Sequence, residues 1–171
     1  IAKMREALNG FVIRGISSNI PFQAALLAHP QFVSGQFNTG FIAEHYSKGF
    51  RAEDVPHDDA DFLLALAAFV RRKSRERAAG MSGQLPGYDV KVATDTVVVE
   101  LGAEGQHRYV PVHVDESTSR PGVAVVKVNG NTYALESHSR LNDICIRGTV
   151  NGQPFIAQVE RGTFKNPLAL Q

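Results

Sequence analysis

The sequence predicts an α+β protein: a few short helices, then one long helix packed in an antiparallel β-barrel of about seven or eight strands. Three observations carry that prediction. Residues 1–50 hold short apolar-periodic stretches broken by Gly, Pro and Asn. The run from Phe62 to Val70 is apolar on every side, the pattern of a helix surrounded by protein. From Tyr88 to Gln171, β-branched runs alternate with turn signals.

The elements follow in chain order. Met4, Ala7, Leu8, Phe11 and Val12 recur at helical spacing, which predicts an amphipathic helix ending near Gly15. Asn19-Ile-Pro reads as a cap with Pro at an early helical position, and the helix stops at His29-Pro30. Asn38-Thr-Gly opens a last short helix, Phe41 to Tyr46. Helices this short bury little surface by themselves, so residues 1–50 read as the tail of a larger domain.

Residues 58–79 read as one long helix. Asp58 is its expected N-cap, Asp61 follows three residues later and Asp59 adds negative charge to the first turn. The apolar run then turns basic at Arg71-Arg-Lys-Ser-Arg-Glu-Arg, and acid first, base last complements the helix dipole. Gly80 supplies the stop. Residues 80–87 form a loop with three glycines, expected to be conformationally free in the unbound chain. Residues 88–171 are the expected barrel, with strands at Tyr88–Val92, Thr96–Leu101 and Arg108–Val114 among others. Asn129-Gly130 and Asn151-Gly152 each predict a type I′ hairpin.

Composition narrows the function. Eighteen Lys/Arg against seventeen Asp/Glu leave a formal charge of +1, so a partner chosen by bulk charge, nucleic acid above all, is disfavoured. The longest apolar run is far too short for a bilayer span. A single cysteine, Cys145, excludes an intramolecular disulfide and any Cys-based zinc site. A reducing compartment is expected, and a start at Ile1 without Met suggests a piece of a longer protein.

Candidate chemistry has a plain structural reading nearly everywhere. Asp54, His57, Asp58, Asp59 and Asp61 could attract a hard metal, yet capping and dipole compensation account for Asp58, Asp59 and Asp61. His107 and His113 share strand parity but lie six residues apart, too far for one ion at about 3.3 Å per residue. Gly15-Ile-Ser-Ser-Asn lacks the final Gly of a nucleophile elbow and its strand-to-helix context. Cys145, between Ile144 and Ile146, reads as inert core. No catalytic, cofactor-binding or metal-ligating residue is predicted. The basic end, with Arg71, Arg72 and Arg75, has three readings: a nucleic-acid contact, a solvated helix end, or a partner contact shared with apolar Met81, Leu85 and Pro86 of the following loop.

Particular words of the sequence add a resemblance. Ala7 to Gln23 (ALNGFVIRGISSNIPFQ), then Leu27-Ala-His-Pro-Gln-Phe, then Phe37-Asn-Thr-Gly-Phe-Ile resemble, in order, the end of a biotin carboxylase domain of the ATP-grasp class. Tyr46-Ser-Lys-Gly-Phe resembles the junction that follows in α subunits of biotin-dependent acyl-CoA carboxylases of the propionyl-CoA type. The long helix plus barrel is similar to their mediation (BT) domain. The resemblance implies residues 1–50 as the carboxylase tail and 51–171 as the mediation domain, with the loop 80–87 docking a carboxyltransferase β subunit.

It also implies a parent that converts propionyl-CoA to methylmalonyl-CoA with ATP, bicarbonate, Mg²⁺ and covalent biotin, in the cytoplasm or the mitochondrial matrix. The Met-Lys-Met biotinylation site of the carrier domain is absent: Met4 and Met81 are followed by Arg5 and Ser82. The expected role is therefore non-catalytic docking, towards the β subunit and the parent's own carboxylase and carrier domains, with neither nucleic acid nor membrane as partner. The alternatives are the same segment from a methylcrotonyl-CoA or other acyl-CoA carboxylase, and a lipocalin-type barrel holding a small ligand.

Overall fold

The computed structural model describes residues 1–51, 54, 59–101, 107–116, 122–161 and 168–170. The chain divides into two compact units, Ile1–Asp58 and Asp59–Gln171. The first holds four short helices: α1 (Ala2–Asn9), α2 (Ile20–Ala28), α3 (Pro30–Val33) and α4 (Phe41–His45). Helix α1 ends earlier than its apolar spacing predicts. Asn9 is followed by Gly10, whose N–H caps the Glu6 carbonyl, and Phe11 and Val12 lie beyond the helix. Helix α2 stops where expected, because His29 must be extended ahead of Pro30. Pro30 then starts α3, an element the sequence reading did not include. Only Ala25 and Phe41 are buried among this unit's described residues, so its own core is very small.

In the second unit, helix α5 runs from Ala60 to Ala79. Its N-cap is Asp59, not Asp58: Asp59 is extended, and its carboxylate accepts from the Phe62 amide at 2.9 Å. Asp58 and His57 fall outside the described residues. Leu64, Ala65, Leu66, Ala68, Phe69 and Val70 are buried. Phe62 and Leu63 are only partly so, Phe62 meeting the Phe155 ring edge-on at 5.1 Å.

Seven strands form an antiparallel meander: β1 (Asp95–Leu101), β2 (His107–Glu116), β3 (Val123–Val128), β4 (Asn131–Glu136), β5 (Cys145–Val150), β6 (Gln153–Arg161) and β7 (Leu168–Leu170). The expected strand at Tyr88–Val92 is instead irregular, and the sheet starts at Asp95. Alternation places Val110, Val112, Val114, Ala124, Val126, Val128, Tyr133 and Leu135 on the face that buries α5. Both predicted hairpins are present, with positive φ at Asn129 (49°), Gly130 (84°), Asn151 (50°) and Gly152 (80°), as a type I′ turn demands.

The predicted barrel is not closed. Pairing runs from β1 to β7 in sequence order, and among the described residues these end strands do not pair with each other. Even so, α5 contacts β1, β2, β3, β4 and β7. A helix about 10 Å across covers only two strands of a flat sheet at about 4.8 Å spacing, so this sheet curls around the helix. Gly148 marks a tight point of the curl, since any Cβ there would run into the Glu136 carbonyl oxygen.

Candidate docking surface

The surface is built where α5 ends. Its basic residues divide into two groups. Arg72 turns inward: its Nε bonds Glu76 at 2.8 Å, and its Nη1 donates to the carbonyls of Ala93 (3.3 Å) and Val114 (3.2 Å). Lys73 donates to the carbonyls of Ser137 (3.0 Å) and Ser139 (3.2 Å) and lies 5.5 Å from the Phe69 ring centroid. These two cations tie the helix end to the sheet. Arg71 and Arg75 are exposed.

The loop after α5 is organised by Gln84. Its Nε2 faces the carbonyls of Ala78 (3.1 Å), Ala79 (2.7 Å) and Met81 (3.1 Å), closing the helix C-terminus, where carbonyls lack intrahelical donors. Its Oε1 accepts from the Val90 amide at 2.8 Å, so one side chain bridges both ends of the loop. Between them, Leu85-Pro-Gly-Tyr turns back with Tyr88 N–H donating to Leu85 O at 3.0 Å. Gly87 has φ +83°, and Pro86 and Gly87 hold the positions a type II turn assigns them. The freedom expected of three glycines is thus offset by one glutamine and one proline. What this loop displays is apolar: Met81 is 59% exposed, Leu85 70% and Tyr88 83%.

Five of the six predicted partner residues thus face solvent here: Arg71, Arg75, Met81, Leu85 and Pro86. Arg72 serves the helix end instead. Gln84 and Tyr88 were missed, although Pro-Gly followed by Tyr already signalled a type II turn displaying its corner residues.

Cys145, expected in the core, is only partly buried, because it opens strand β5, and most of the other described candidates have local partners. Asp61 accepts from the side-chain amides of Asn129 (2.6 Å) and Asn131 (2.8 Å). Asp59 accepts from the Tyr133 hydroxyl at 2.9 Å. Burial, reinforced by that carboxylate, pushes the Tyr133 pKa up to about 12. Asp54 accepts from the Arg51 amide. His113 Nδ1 lies 2.8 Å from Asp95, and this hydrogen bond is the main reason the Asp95 carboxyl titrates below its usual range. Among the described residues no three His, Cys, Asp or Glu side chains converge as a metal would need. No described helix is long and apolar enough to cross a membrane.

Comparison with known proteins decides the family. Residues 63–171 match the propionyl-coenzyme A carboxylase BT domain, and residues 1–44 match the biotin carboxylase C-terminal domain. The chain belongs to the propionyl-CoA carboxylase α-chain family. It is 32% identical to the propionyl-CoA carboxylase alpha chain of Ruegeria pomeroyi over 93% of its own length and 22% of that protein's. It is 33% identical to the mitochondrial alpha chain of Rattus norvegicus, over 83% of this chain and 18% of the relative. Biotin carboxylase 1 of Bacillus subtilis is 57% identical over 25% of this chain and 9% of its own length. The chain thus spans about a fifth of the length of the alpha chains it matches.

Cavities beside α5 and beside β1–β3 hold about 80 Å³ and 220 Å³, below the roughly 300–1,000 Å³ of a cofactor cleft.

Proposed function

We propose that Asp59–Gln171 is a non-catalytic docking module of a propionyl-CoA carboxylase α subunit, and that the loop 80–87 engages the carboxyltransferase β subunit. On this reading the parent carboxylates propionyl-CoA to methylmalonyl-CoA with ATP, bicarbonate, Mg²⁺ and biotin. The module holds the carboxylase and carrier domains in reach of the carboxyltransferase. The observation that carries the proposal is the preformed loop: Met81, Leu85 and Tyr88 stand in solvent on a backbone fixed by Gln84. Three large apolar side chains held there lower the ordering cost of a contact, and apolar and aromatic anchors of this kind carry much of the affinity at interfaces.

The small-ligand barrel is disfavoured, because Leu66 and Phe69 of α5 occupy the concave face where a ligand would sit. Propionyl-CoA is preferred over other acyl-CoAs because the matched alpha chains carry that name.

The test is assembly of the full α chain with its carboxyltransferase subunit. Met81→Asp combined with Leu85→Asp is expected to abolish co-purification while the thermal unfolding midpoint stays within a few degrees of the parent's. Full assembly by the double variant would overturn the proposal. The isolated segment is expected neither to accept biotin from a biotin ligase nor to hydrolyse ATP with bicarbonate.

A further inference from the structure

A cavity of about 80 Å³ lies between α5 and the segment that leads into β1. Arg71 and Arg75 project towards it from one helix face, Lys91 enters from the irregular segment, and Ala68 lines the helix side. Arg72 is also there but is spent on Glu76 and two carbonyls. Arg71, Arg75 and Lys91, by contrast, have no hydrogen bond or ion pair among the described residues. The carboxylate in the lining, Asp95, is held by His113 at 2.8 Å.

Arg71, Arg75 and Lys91 against the single carboxylate of Asp95 leave so small a space with an excess of positive charge, and near a protein surface that excess is not fully screened. An arrangement of this kind is relieved by an anion. The volume admits one carboxylate or phosphate group and nothing as large as a nucleotide. Guanidinium groups at positions i and i+4 can both present paired N–H donors to such oxygens. Position then separates a protein carboxylate from a free ion. Arg75 lies about 7.5 Å along the helix axis from Gly80, and Lys91 follows three residues after Tyr88. Residues that precede and follow the exposed apolar loop along the chain, Arg75 and Lys91, thus line the cavity together.

We infer that this cavity receives an acidic side chain, Asp or Glu, of the protein that docks on the loop 80–87, with Arg71, Arg75 and Lys91 as its ligands. The inference rests on the docking reading above. The cavity would give that contact its orientation: the apolar corner supplies burial, and the buried carboxylate fixes how the partner sits. Truncating one side of such a charge pair chiefly accelerates dissociation, whereas a charge on the rim chiefly alters the encounter rate.

The experiment uses the full α chain and the carboxyltransferase subunit, with dissociation followed at low and high salt. Arg71→Gln, Arg75→Gln and Lys91→Gln together are expected to speed dissociation about tenfold or more and to flatten the salt dependence of affinity. Arg71→Lys with Arg75→Lys should keep the salt dependence and lose part of the residence time. Wild-type dissociation and salt dependence in the triple Gln variant, with assembly still abolished by Met81→Asp/Leu85→Asp, would overturn the cavity's role and leave the docking loop standing. Normal assembly in both variants would remove the docking reading and this inference with it. A third arm titrates inorganic phosphate into the α chain by calorimetry. Saturable binding that the triple variant loses, together with unchanged assembly, would assign the cavity to a free oxyanion and overturn the inference.

Discussion

The two halves of α5 are equally helical and differ in everything else. From Leu64 to Val70 six of seven residues are buried; from Arg71 to Ala79 none is. The first half is held by apolar area, worth about 25 cal/mol per Å² removed from water. The second is held by donors: Arg72 and Lys73 reach carbonyls at 3.0–3.3 Å on strand β2 and on the segments leading into β1 and out of β4. The contrast teaches that a basic run need not be a basic surface. Two of its members complete the backbone hydrogen bonding of neighbouring segments, and only the others are available to a partner.

The contrast can be broken at its strongest point first. Phe69→Ala should cost about 3–5 kcal/mol, the usual range for a buried Phe, measured by urea unfolding of the parent and variant. A loss below about 1 kcal/mol would mean that the sheet does not depend on the helix for its core. Next, Lys73→Met keeps the apolar stem but leaves the Ser137 and Ser139 carbonyls without their donor, for an expected loss of about 1–3 kcal/mol. Lys73→Arg should recover part of it. Equal stability in Lys73→Met would place this lysine with the solvated residues and erase the division drawn above.

A pH measurement sharpens the other end of the helix. The Tyr133 pKa is raised to about 12 by burial and by Asp59. Unfolding lets that hydroxyl ionise near its ordinary value of about 10, so the unfolded state binds fewer protons between the two values. Stability supplied by this group is complete below about pH 10 and declines as pH rises towards 12. Tyr133→Phe should flatten that decline in alkaline unfolding curves; an unchanged slope would show that Tyr133 is not its source. The smallest effect is expected from Arg71→Gln with Arg75→Gln, within about 0.5 kcal/mol of the parent. A larger loss would make these arginines structural after all.

Much of this architecture was legible in single residues. The all-round apolar run from Phe62 to Val70 announced a helix enclosed by protein, and the two Asn-Gly pairs fixed both hairpin registers. Boundaries were less legible, for local reasons. Asp58 and Asp59 are equally good caps on paper, and the choice fell to the residue whose carboxylate could also accept from Tyr133, seventy-four positions away. Tyr88–Val92 has strand composition, but Gln84 takes the Val90 amide that a ladder would need. Closure of the barrel depends on how far the sheet curls, which no pattern of period two encodes. At the candidate docking surface, the exposed apolar residues were readable because nothing nearby in sequence could cover them. Gln84 was not, since a polar residue in a glycine-rich loop gives no hint that its amide spans both ends.

The β3–β4 turn has a chemical lifetime as well as a shape. An Asn followed by Gly is prone to lose its amide, because the next backbone nitrogen can attack an unhindered side-chain carbonyl. At Asn129 that amide is the donor that reaches Asp61 at 2.6 Å on the first turn of α5. Loss of ammonia would close a cyclic imide, and water would open it to Asp or isoAsp; either product carries a carboxylate in place of the donor amide next to the Asp61 carboxylate, and turns an attraction into a repulsion. Ageing of the purified protein would therefore loosen the clasp between hairpin and helix one molecule at a time, each step adding one negative charge visible on a native gel. Asn129→Asp should reproduce the charge of the aged form at once, and Asn129→Ser should be free of ageing at this turn.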